Sequence, residues 1–540
     1  MKKIINKILI VVFLITSVSC EDFVDINVDP NNPTEAPLNG LLSNIQLATA
    51  GAFGMGSLSA GLGNYTSNLV GHITTRGNLS DYGLTGNDGG VTGGWNTLYR
   101  SPLQDIAQLE ELARATDSDK YLGIGLIMKA YIYSGLVDLW GNVPLSEANL
   151  GAINTSPKYD NGAVVYDSCF AFLERAIPLI ENGTEVLSGD LIFGNVEDNW
   201  IRAAKTLRLR LATQSRLVTD PTSRLSSFNP ATDLITEDFE FAYGTSSNPD
   251  NRNPMYAGEW APAGSAHYID PFFYEVMTGQ NSFFPQEENP YVDPSNSIND
   301  PRVRYYWYNQ LGPGDSPENP AAYLNGFFLS IYGFSFNIDP NEGFDQGSSQ
   351  TIMGLYPGGG AYDNGSGVNA NFNGAGDTPQ RLMTIYNAYF NLAELANAGI
   401  TLSGAGDART NFELGVRAAF AKVNDYAAGA GAPLLTTAVI DNYVTSVLNL
   451  YDGAGSASER LEIIMIEKWK ANFGMGTVAY TDYRRTGFPV LHDGSTDNLV
   501  ITERTRDYPL SLPYNTDALA INSNSPSQKA IANFRVFWDN

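Results

Sequence analysis

Apolar positions recur every three to four residues over several long stretches of the chain, the spacing that predicts amphipathic α-helices. These stretches are 41–53, 101–114, 120–140, 164–180 and 197–218 in the first half, and 379–399, 408–428, 437–450 and 458–473 in the second. Alternation of the kind that predicts strands is sparse by comparison. The pattern therefore predicts a mostly α-helical fold. Consecutive helices joined by short turns hint at stacked pairs of the tetratricopeptide type, although no repeat of constant period is present.

The residues between the two helical blocks, 219–378, are loop-dominated, with stretches such as NPDNRNP, PENPA and PGGGAYDNGSG. A connection of this length without regular structure is uncommon in a compact domain unless it is functional. One interpretation is a linker between two domains, and the other is a set of ordered loops over one helical scaffold. The aromatic stretches HYIDPFFYEV and VRYYWYNQ favour ordered loops, because disordered linkers are poor in aromatic residues. We therefore expect a single helical domain over 38–540 with this loop-rich insertion.

The N-terminus has the pattern of an export signal. Residues 1–19 begin with three lysines, continue as an apolar run and end in small residues ahead of Cys20. The run is far shorter than the ~20 apolar residues of a transmembrane helix, so we expect a cleaved signal peptide. A cysteine at the cleavage position predicts lipidation of Cys20, and the alternative is an ordinary signal peptide that contains a cysteine. Residues 20–37 are acidic and rich in Pro and Asn, which predicts an extended tether after the lipidated residue.

Composition narrows the classes of partner. The formal net charge of −26 disfavours nucleic acid and adsorption to an anionic membrane, so the only membrane attachment that we expect is the N-terminal lipid. The chain has two cysteines, and lipidation of Cys20 leaves Cys169 without a disulfide partner. Cys169 lies in an amphipathic helical stretch, where we expect a small buried side chain. Stability must then come from a large core, which a chain of 540 residues with 43% hydrophobic content can bury.

The stretch KAYIYSGLVDLWGNVPLSEA, residues 129–148, carries a helix stop signal. An apolar helical run reaches Trp140 and is followed by Gly141 and then Pro144. Glycine accepts the left-handed backbone conformation that ends a helix, and proline cannot continue one. These residues by themselves predict a buried helix with a sharp exit.

A helix followed by an aromatic residue, Gly, Asn, Val and Pro resembles the hallmark segment of the SusD/RagB family of surface nutrient-binding lipoproteins. Other segments agree with this family in order and spacing: INVDPNNPT (26–34), DNWIRAAKTLRLRLA (198–212), NDPRVRYYW (299–307), EIIMIEKWKANF (462–473), AYTDYRRTGFPVL (479–491) and FRVFWD (534–539). Together with Cys20 they span nearly the whole mature chain.

The resemblance implies a SusD-like, tetratricopeptide-type helical scaffold with long irregular loops and little β structure. It implies a lipid anchor on Cys20 at the outer-membrane surface of a Gram-negative bacterium, and a SusC-like TonB-dependent transporter over which the protein acts as a lid. The expected ligand is an oligosaccharide that is captured without covalent chemistry. A peptide ligand, as in a RagB-like protein of the same fold, is one alternative. A surface glycoside hydrolase is the alternative from the class of enzymes.

Two charged segments have structural interpretations. In DYRRTGFP, Arg484 and Arg485 can bridge carboxylates such as Asp482 or cap helix C-termini. In NDPR, Asp300 and Arg302 are expected to lock a loop. Paired arginines find internal partners easily in an acidic protein, so we expect scaffold roles here rather than ligand contacts.

Motifs for catalysis are missing from the sequence, so we expect no enzyme. The three histidines, His72, His267 and His492, lie far apart and belong to no metal-binding motif, and no P-loop or G-x-S-x-G elbow occurs. Gly474–Ala479 matches a relaxed dinucleotide-binding pattern, but it follows a helix, so we interpret it as a turn. DNGSGVN (363–369) could offer loop oxygens to calcium, but it lacks a closing glutamate and a plain turn is favoured. We expect no cofactor and no metal.

Aromatic loop residues are the candidates for ligand binding, because the apolar faces of sugar rings stack on Trp and Tyr. The candidates are Tyr65, Arg76, Tyr82 and Trp95 in the N-terminal Gly- and Asn-rich stretch, and Trp260 and Tyr356 in the middle loops. For each of them local packing is the alternative. Trp95 is ambiguous, because WNTLYR also reads as the start of a helix that its aromatic residues anchor.

Overall fold

The computed structural model of the protein describes residues 36–56, 61–75, 86, 89–260, 267–281, 289–293, 297–316, 323–324, 327–328, 351–367, 374–491 and 508–539. Cys20, the signal peptide and nearly all of the tether therefore lie outside the described residues. So do two of the candidate binding residues, Arg76 and Tyr82.

Helices dominate the described part of the chain. In the first half they are α1 (Leu38–Phe53), α2 (Leu62–Leu69), α3 (Gly89–Arg100), α4 (Pro102–Ala115), α5 (Asp119–Trp140), α6 (Gly162–Asn182) and α7 (Glu197–Gln214). Shorter helices follow in the middle: α8 (Pro221–Arg224), α9 (Pro230–Asp233), α10 (Pro254–Trp260), α11 (Pro271–Thr278) and α12 (Val303–Tyr306). The second half has α13 (Ile385–Asn397), α14 (Ala408–Gly429), α15 (Thr437–Gly453), α16 (Ala457–Ala471), α17 (Gly476–Thr486) and α18 (Thr516–Ile521).

Within the described ranges the strands are short and form two-stranded sheets. They are β1 (Ile73–Thr75), β2 (Phe239–Phe241), β3 (His267–Ile269), β4 (Trp307–Tyr308), β5 (Tyr323–Leu324), β6 (Phe327–Phe328), β7 (Ile352–Met353) and β8 (Gln380–Met383). The antiparallel pairs are β1 with β3, β2 with β8, β4 with β7, and β5 with β6. The prediction of a mostly α-helical fold with little β structure is confirmed.

The apolar helix α5 is the centre of the N-terminal block. It packs along α6 and also contacts α1, α4 and α7. Glycines allow the closest approaches, since a Cβ at Gly123 would lie 2.6 Å from Ile180 and a Cβ at Gly135 would lie 2.6 Å from Phe53. Helix α5 is long and apolar enough to cross a membrane, but 94% of its apolar window is buried inside the protein. It is therefore the core helix of this fold, and it ends at Trp140 as the stop signal predicts.

The C-terminal block is built around α13, which packs against α14 and α16 and contacts α7 of the first block. The helix predicted over 379–399 is wrong at its start, because Gln380–Met383 form β8 and the helix begins only at Ile385. The tertiary partner decides this boundary: β2 supplies a hydrogen-bonded neighbour, and Thr384 caps the helix through its side chain. The predicted turn at 474–479 is also too long, because α17 already begins at Gly476.

Buried residues of the described loops of 219–378 pack into the same hydrophobic cluster as the helices, while Tyr256, Trp260, Tyr308 and Ile352 form a second, smaller cluster. Phe273 of α11 contacts Trp469 of α16, with 4.9 Å between ring centroids, and Phe473 at 5.1 Å. Trp307 of β4 contacts Phe473 at 4.7 Å. Contacts of this kind are expected for ordered loops that cover the helical scaffold and not for a free linker.

Asp300 and Arg302 form the expected lock in a fully buried position. Arg302 Nε donates to Asp300 Oδ1 at 2.9 Å, and its Nη2 donates to Asp300 Oδ2 at 2.6 Å. Lys470 of α16 lies 3.4 Å from Asp300 and 2.5 Å from Glu467. Burial alone would raise the pKa of Asp300, but the charges of Arg302 and Lys470 outweigh it and lower the pKa. The loop is thus fixed to the C-terminal helices by charge.

The two arginines of DYRRTGFP have the expected structural roles. Arg484 donates to the backbone oxygen of Leu510 at 2.8 Å and to that of Asp138 near the end of α5, so it caps a helix C-terminus. Arg485 pairs with Asp482 at 2.8 Å and with Glu394 of α13. The contacts of Arg484 and Arg485 connect helices that are far apart in the sequence. Cys169 is free and buried, as predicted.

Candidate ligand-binding site

A cleft of about 940 Å3 opens between the middle loops and the C-terminal end of α14. Strand β2 contributes Glu240, and the loops contribute residues within 355–364 and 374–378. Helix α14 and the turn after it contribute residues within 422–433. A volume of this size is typical of sites for small ligands.

One wall of the cleft is a tightly wound loop that rests on Trp260. The amide of Gly359 donates to the oxygen of Leu355 at 2.9 Å, and that of Gly360 donates to the oxygen of Gly354 at 3.1 Å. A Cβ at Gly360 would lie 2.0 Å from the indole ring of Trp260, so only glycine allows this approach. The indole Nε1 of Trp260 donates to the oxygen of Met353 at 2.9 Å. Trp260 therefore supports the wall from behind.

Two half-buried tyrosines line the cleft from opposite elements. Tyr362 belongs to the loop wall and contacts Tyr305 at 4.8 Å between ring centroids. Tyr426 belongs to α14 and contacts Tyr356 at 5.3 Å. Tyr305 is held in turn by a 2.6 Å hydrogen bond from its hydroxyl to the oxygen of Pro433. The two half-buried rings therefore rest on buried aromatic neighbours, which limits their freedom before any ligand binds.

Charged and polar groups complete the lining. Lys422 pairs with Asp238 at 2.9 Å and with Glu240 at 2.7 Å, whereas Asp377 and Asp425 are exposed. Burial raises the pKa of Glu240 although Lys422 opposes it, and burial also raises the pKa of Tyr426, which keeps its phenol protonated. Carboxylates that accept hydrogen bonds, a phenol that donates one and flat aromatic faces are the groups that bind sugar hydroxyls and rings.

A second cleft of about 530 Å3 lies behind the same loop wall. Alternate residues of the wall face the two clefts: Tyr362 and Asn364 line the larger one, and Asp363 and Gly365 line the smaller one. Arg304 lines the smaller cleft and donates to the backbone oxygen of Asp363 at 3.0 Å. The backbone of this short segment thus separates the two clefts.

The structure places the predicted binding residues in different regions. Trp95 is 4% exposed and packs on Trp140 at 5.2 Å, in the middle of α3 instead of at a helix start. Trp260 and Tyr356 are each 1% exposed and lie behind the larger cleft. Tyr65 is half-buried against the hydrophobic cluster. None of these side chains lines either described cleft, and their direct contact with a ligand stays a prediction that their burial disfavours.

Sequence reasoning missed Tyr362 and Tyr426 as candidate residues. Tyr362 lies in PGGGAYDNGSG, where the density of glycine marks a close backbone approach around one aromatic residue. Tyr426 lies near the end of an amphipathic helix, where periodicity alone does not distinguish a core residue from a cleft residue. Within the described residues, no group of three or more His, Cys, Asp or Glu side chains is placed to hold a metal ion.

Comparison with known proteins gives one family match. The family model named SusD-like, with the description "Starch-binding associating with outer membrane", matches residues 30–509. No curated protein matches the sequence at a significant level.

Several solved structures share the fold. A SusD homologue from Bacteroides fragilis is 18% identical with a TM-score of 0.66, and the match covers 94% of this chain and 99% of that one. A SusD/RagB family protein from Bacteroides thetaiotaomicron is 17% identical with a TM-score of 0.65, covering 94% and 99%. A chitin-binding SusD homologue from Flavobacterium johnsoniae is 17% identical with a TM-score of 0.63, covering 93% and 98%. At these identities the comparison shows a common fold.

Proposed function

We propose that this protein, which belongs to the SusD-like family, captures a nutrient glycan at the outer membrane and holds it without covalent chemistry. The model of this family is described as starch-binding and associating with the outer membrane. This proposal is consistent with the sequence, which contains no recognised catalytic motif. The chitin-binding neighbour of the same fold supports an oligosaccharide as the ligand class.

The larger cleft is the observation that carries this proposal. Its two tyrosines project from different elements toward one space of about 940 Å3, and each is backed by a buried tyrosine. Sugar rings bury their apolar faces against aromatic rings while their hydroxyls keep hydrogen-bonding partners, and Asp377 and Asp425 provide such partners. Because the supporting contacts are already formed, little side-chain entropy is lost when the ligand binds.

Anchoring and delivery follow from the sequence at the N-terminus and from the family. In this proposal Cys20 is acylated and residues 20–37 tether the protein to the outer membrane at the cell surface. A SusC-like TonB-dependent transporter receives the glycan, and the protein closes over it as a lid. Radiolabelled fatty acid incorporated by the wild type but not by the Cys20→Ala variant tests the anchor. Co-purification of a TonB-dependent transporter from native membranes tests the partner.

The capture proposal is tested with the soluble chain that begins after Cys20. Affinity electrophoresis and calorimetry against a panel of starch, chitin oligosaccharides, other glycans and peptides measure binding, and product analysis on the same samples detects cleavage. Retention by a glycan without released sugar supports the proposal. Binding to peptides alone identifies a RagB-like protein, and released sugar identifies a glycoside hydrolase. Either of these two results overturns the proposal.

Variants of the two tyrosines test the location of the site. We expect Tyr362→Ala and Tyr426→Ala each to weaken glycan binding by about 1 to 3 kcal/mol, the range that fits loss of a stacked aromatic side chain. Tyr389→Ala is the matched control, because Tyr389 is also half-buried but lines neither described cleft. Equal affinities of all three variants and the wild type would place the glycan elsewhere.

A further inference from the structure

The larger cleft has an unequal balance of charge. Among the described residues, its lining includes three carboxylates, Glu240, Asp377 and Asp425, against one cation, Lys422. Walls of low dielectric concentrate the field of such groups in the space between them. The cleft therefore presents a negative potential to any ligand that enters it.

Lys422, the one cation that the described residues contribute to this lining, is already paired with carboxylates. Lys422 Nζ lies 2.9 Å from Asp238 and 2.7 Å from Glu240, and its ammonium is largely buried by these contacts. Burial would lower the pKa of Lys422, but the two carboxylates outweigh it and raise the pKa. Lys422 therefore stays charged and engaged, and it is a poor partner for an anionic ligand. Asp377 and Asp425 are exposed, so their charges remain available to the cleft.

A second observation points to a polar ligand at the same place. Thr378 lines the cleft and is 1% exposed, and its Oγ1 has no hydrogen-bond partner among the described residues. A Cβ at the neighbouring Gly359 would lie 2.5 Å from this hydroxyl, so glycine at this position avoids a clash with it. A buried hydroxyl without a partner costs free energy, which a ligand hydroxyl or amine would recover.

We infer that the cleft selects amino-sugar oligosaccharides that carry free ammonium groups, and that it rejects glycans that carry carboxylates or sulfates. The inference rests on the proposed function and adds the charge of the ligand to it. Asp377 and Asp425 are the selecting groups, Tyr362 and Tyr426 hold the rings, and Thr378 accepts or donates one hydrogen bond. The half-exposed tyrosines favour sugar rings over the flexible side chains of a basic peptide.

Calorimetry with length-matched ligands tests this inference on the soluble chain that begins after Cys20. The probes are pentamers of glucosamine, N-acetylglucosamine and galacturonate, with pentalysine as a peptide of the same charge as the first. Measurements at about pH 5.5 keep ordinary carboxylates and the glucosamine ammonium ionised. Salt at about 0.01 M and about 0.15 M changes the screening length from about 30 to about 8 Å.

We expect the glucosamine pentamer to bind about fivefold more tightly than its N-acetylated counterpart, as one ion pair near 4 Å in water would give. This preference falls at the higher salt concentration and is lost in the Asp377→Asn, Asp425→Asn double variant. The Asp117→Asn variant is the matched control, because Asp117 is exposed and lines neither described cleft. The salt dependence of the wild type tests the same point without any substitution.

The binding data distinguish failure of the charge inference from failure of the proposed glycan capture. Binding of N-acetylglucosamine or galacturonate pentamers with equal or higher affinity overturns the charge inference and leaves glycan capture standing. Tighter binding of pentalysine than of every sugar replaces the glycan with a basic peptide and overturns both. Absence of binding to every glycan in the wider panel also overturns both. A charge preference that survives in the double variant shows that other groups select the ligand and overturns the assignment of Asp377 and Asp425.

Discussion

Arg485 of α17 and Glu394 of α13 form an ion pair in which neither side chain has any exposed surface. Arg485 Nη2 donates to Glu394 Oε2 at 2.8 Å, and Nη1 contacts the other carboxylate oxygen. The two residues are separated by 91 positions in sequence. Arg216 of the N-terminal block reaches the same carboxylate at 2.6 Å. One buried carboxylate thus connects the two blocks, and removal of a partner would leave charge without compensation.

The Arg485→Met variant tests the weight of this pair. We expect the free energy of unfolding to fall by about 3 to 5 kcal/mol, because buried charges lose a partner while the apolar volume is roughly kept. Arg409→Met is the control, since Arg409 pairs with Asp452 in a half-exposed position where we expect a loss below about 1 kcal/mol. Urea titrations of the three proteins measure the difference. Equal midpoints for both variants would contradict the prediction.

Low pH should lower the free energy of unfolding by protonating Glu394. Burial raises the pKa of this carboxyl, but the charges of Arg485, Arg216 and Lys468 outweigh it and lower the pKa from 4.5 to about 2. Because the folded-state pKa is depressed, the stabilisation is present above pH 4.5 and is lost as the pH falls toward 2. We expect the slope of stability against pH in this window to be smaller in Glu394→Gln than in the wild type. An unchanged slope would show that Glu394 is not ionised in the folded protein.

His72 should add a second acid response at higher pH. Its ring lies among Phe273, Trp469 and Phe473, and burial lowers its pKa from 6.5 to about 3. The unfolded chain therefore binds a proton between these values and the folded chain does not, so stability falls as the pH drops from 6.5 toward 3.

The His72→Gln variant tests this response, because an amide can keep a hydrogen bond to the oxygen of Trp469, which lies 2.9 Å from His72 Nε2. We expect the variant to be less stable at neutral pH through poorer packing, with a shallower loss of stability between pH 6.5 and about 4. Chemical denaturation at a series of pH values measures both effects. The His72 resonance is assigned as the one missing from the variant, and its titration near pH 6.5 in the folded wild type would refute the prediction.

The wall of the larger cleft should not tolerate a methyl group at Gly360. A Cβ there would lie 2.0 Å from Trp260, so Gly360→Ala must displace the indole ring or the loop, at a cost of about 1 to 3 kcal/mol. Gly429→Ala is the control, because Gly429 lines the same cleft at the end of α14 and a Cβ there would meet nothing within 4 Å. We expect this control to be neutral or slightly stabilising. Thermal unfolding compares the two, and equal melting temperatures would refute the packing argument.

Local patterns predicted most of the scaffold because the forces involved act within a few residues. Helical periodicity located the long helices, and glycine followed by proline marked the end of α5 at Trp140. The sequence predicts that the arginines of DYRRTGFP bind carboxylates or helix C-termini. In the structure Arg485 pairs with Glu394, and Arg484 donates to the backbone oxygen of Asp138. The order of the motifs along the chain predicts the SusD/RagB family, and the family model matches residues 30–509.

Strand β8 and the cleft could not be predicted in this way, because both depend on residues that are distant in sequence. Gln380–Met383 continue a helical pattern, but pairing with Phe239–Phe241 makes them a strand. Trp95 and Trp260 lie in sequences typical of loops, but neighbours from other parts of the chain bury them. Tyr362 and Tyr426 become a pair only when the loop meets the end of α14.

The helical class, the end of α5 at Trp140 and the family can thus be read from the sequence, because each depends on local backbone preference or on an ordered set of motifs. The packing of distant segments decides which aromatic residues are buried and which face a cleft, and which carboxylates of the described cleft lining form ion pairs. The physical reason is that burial and charge pairing depend on neighbours brought together by the whole fold. The residues next to a side chain in the sequence do not show which distant residues will surround it.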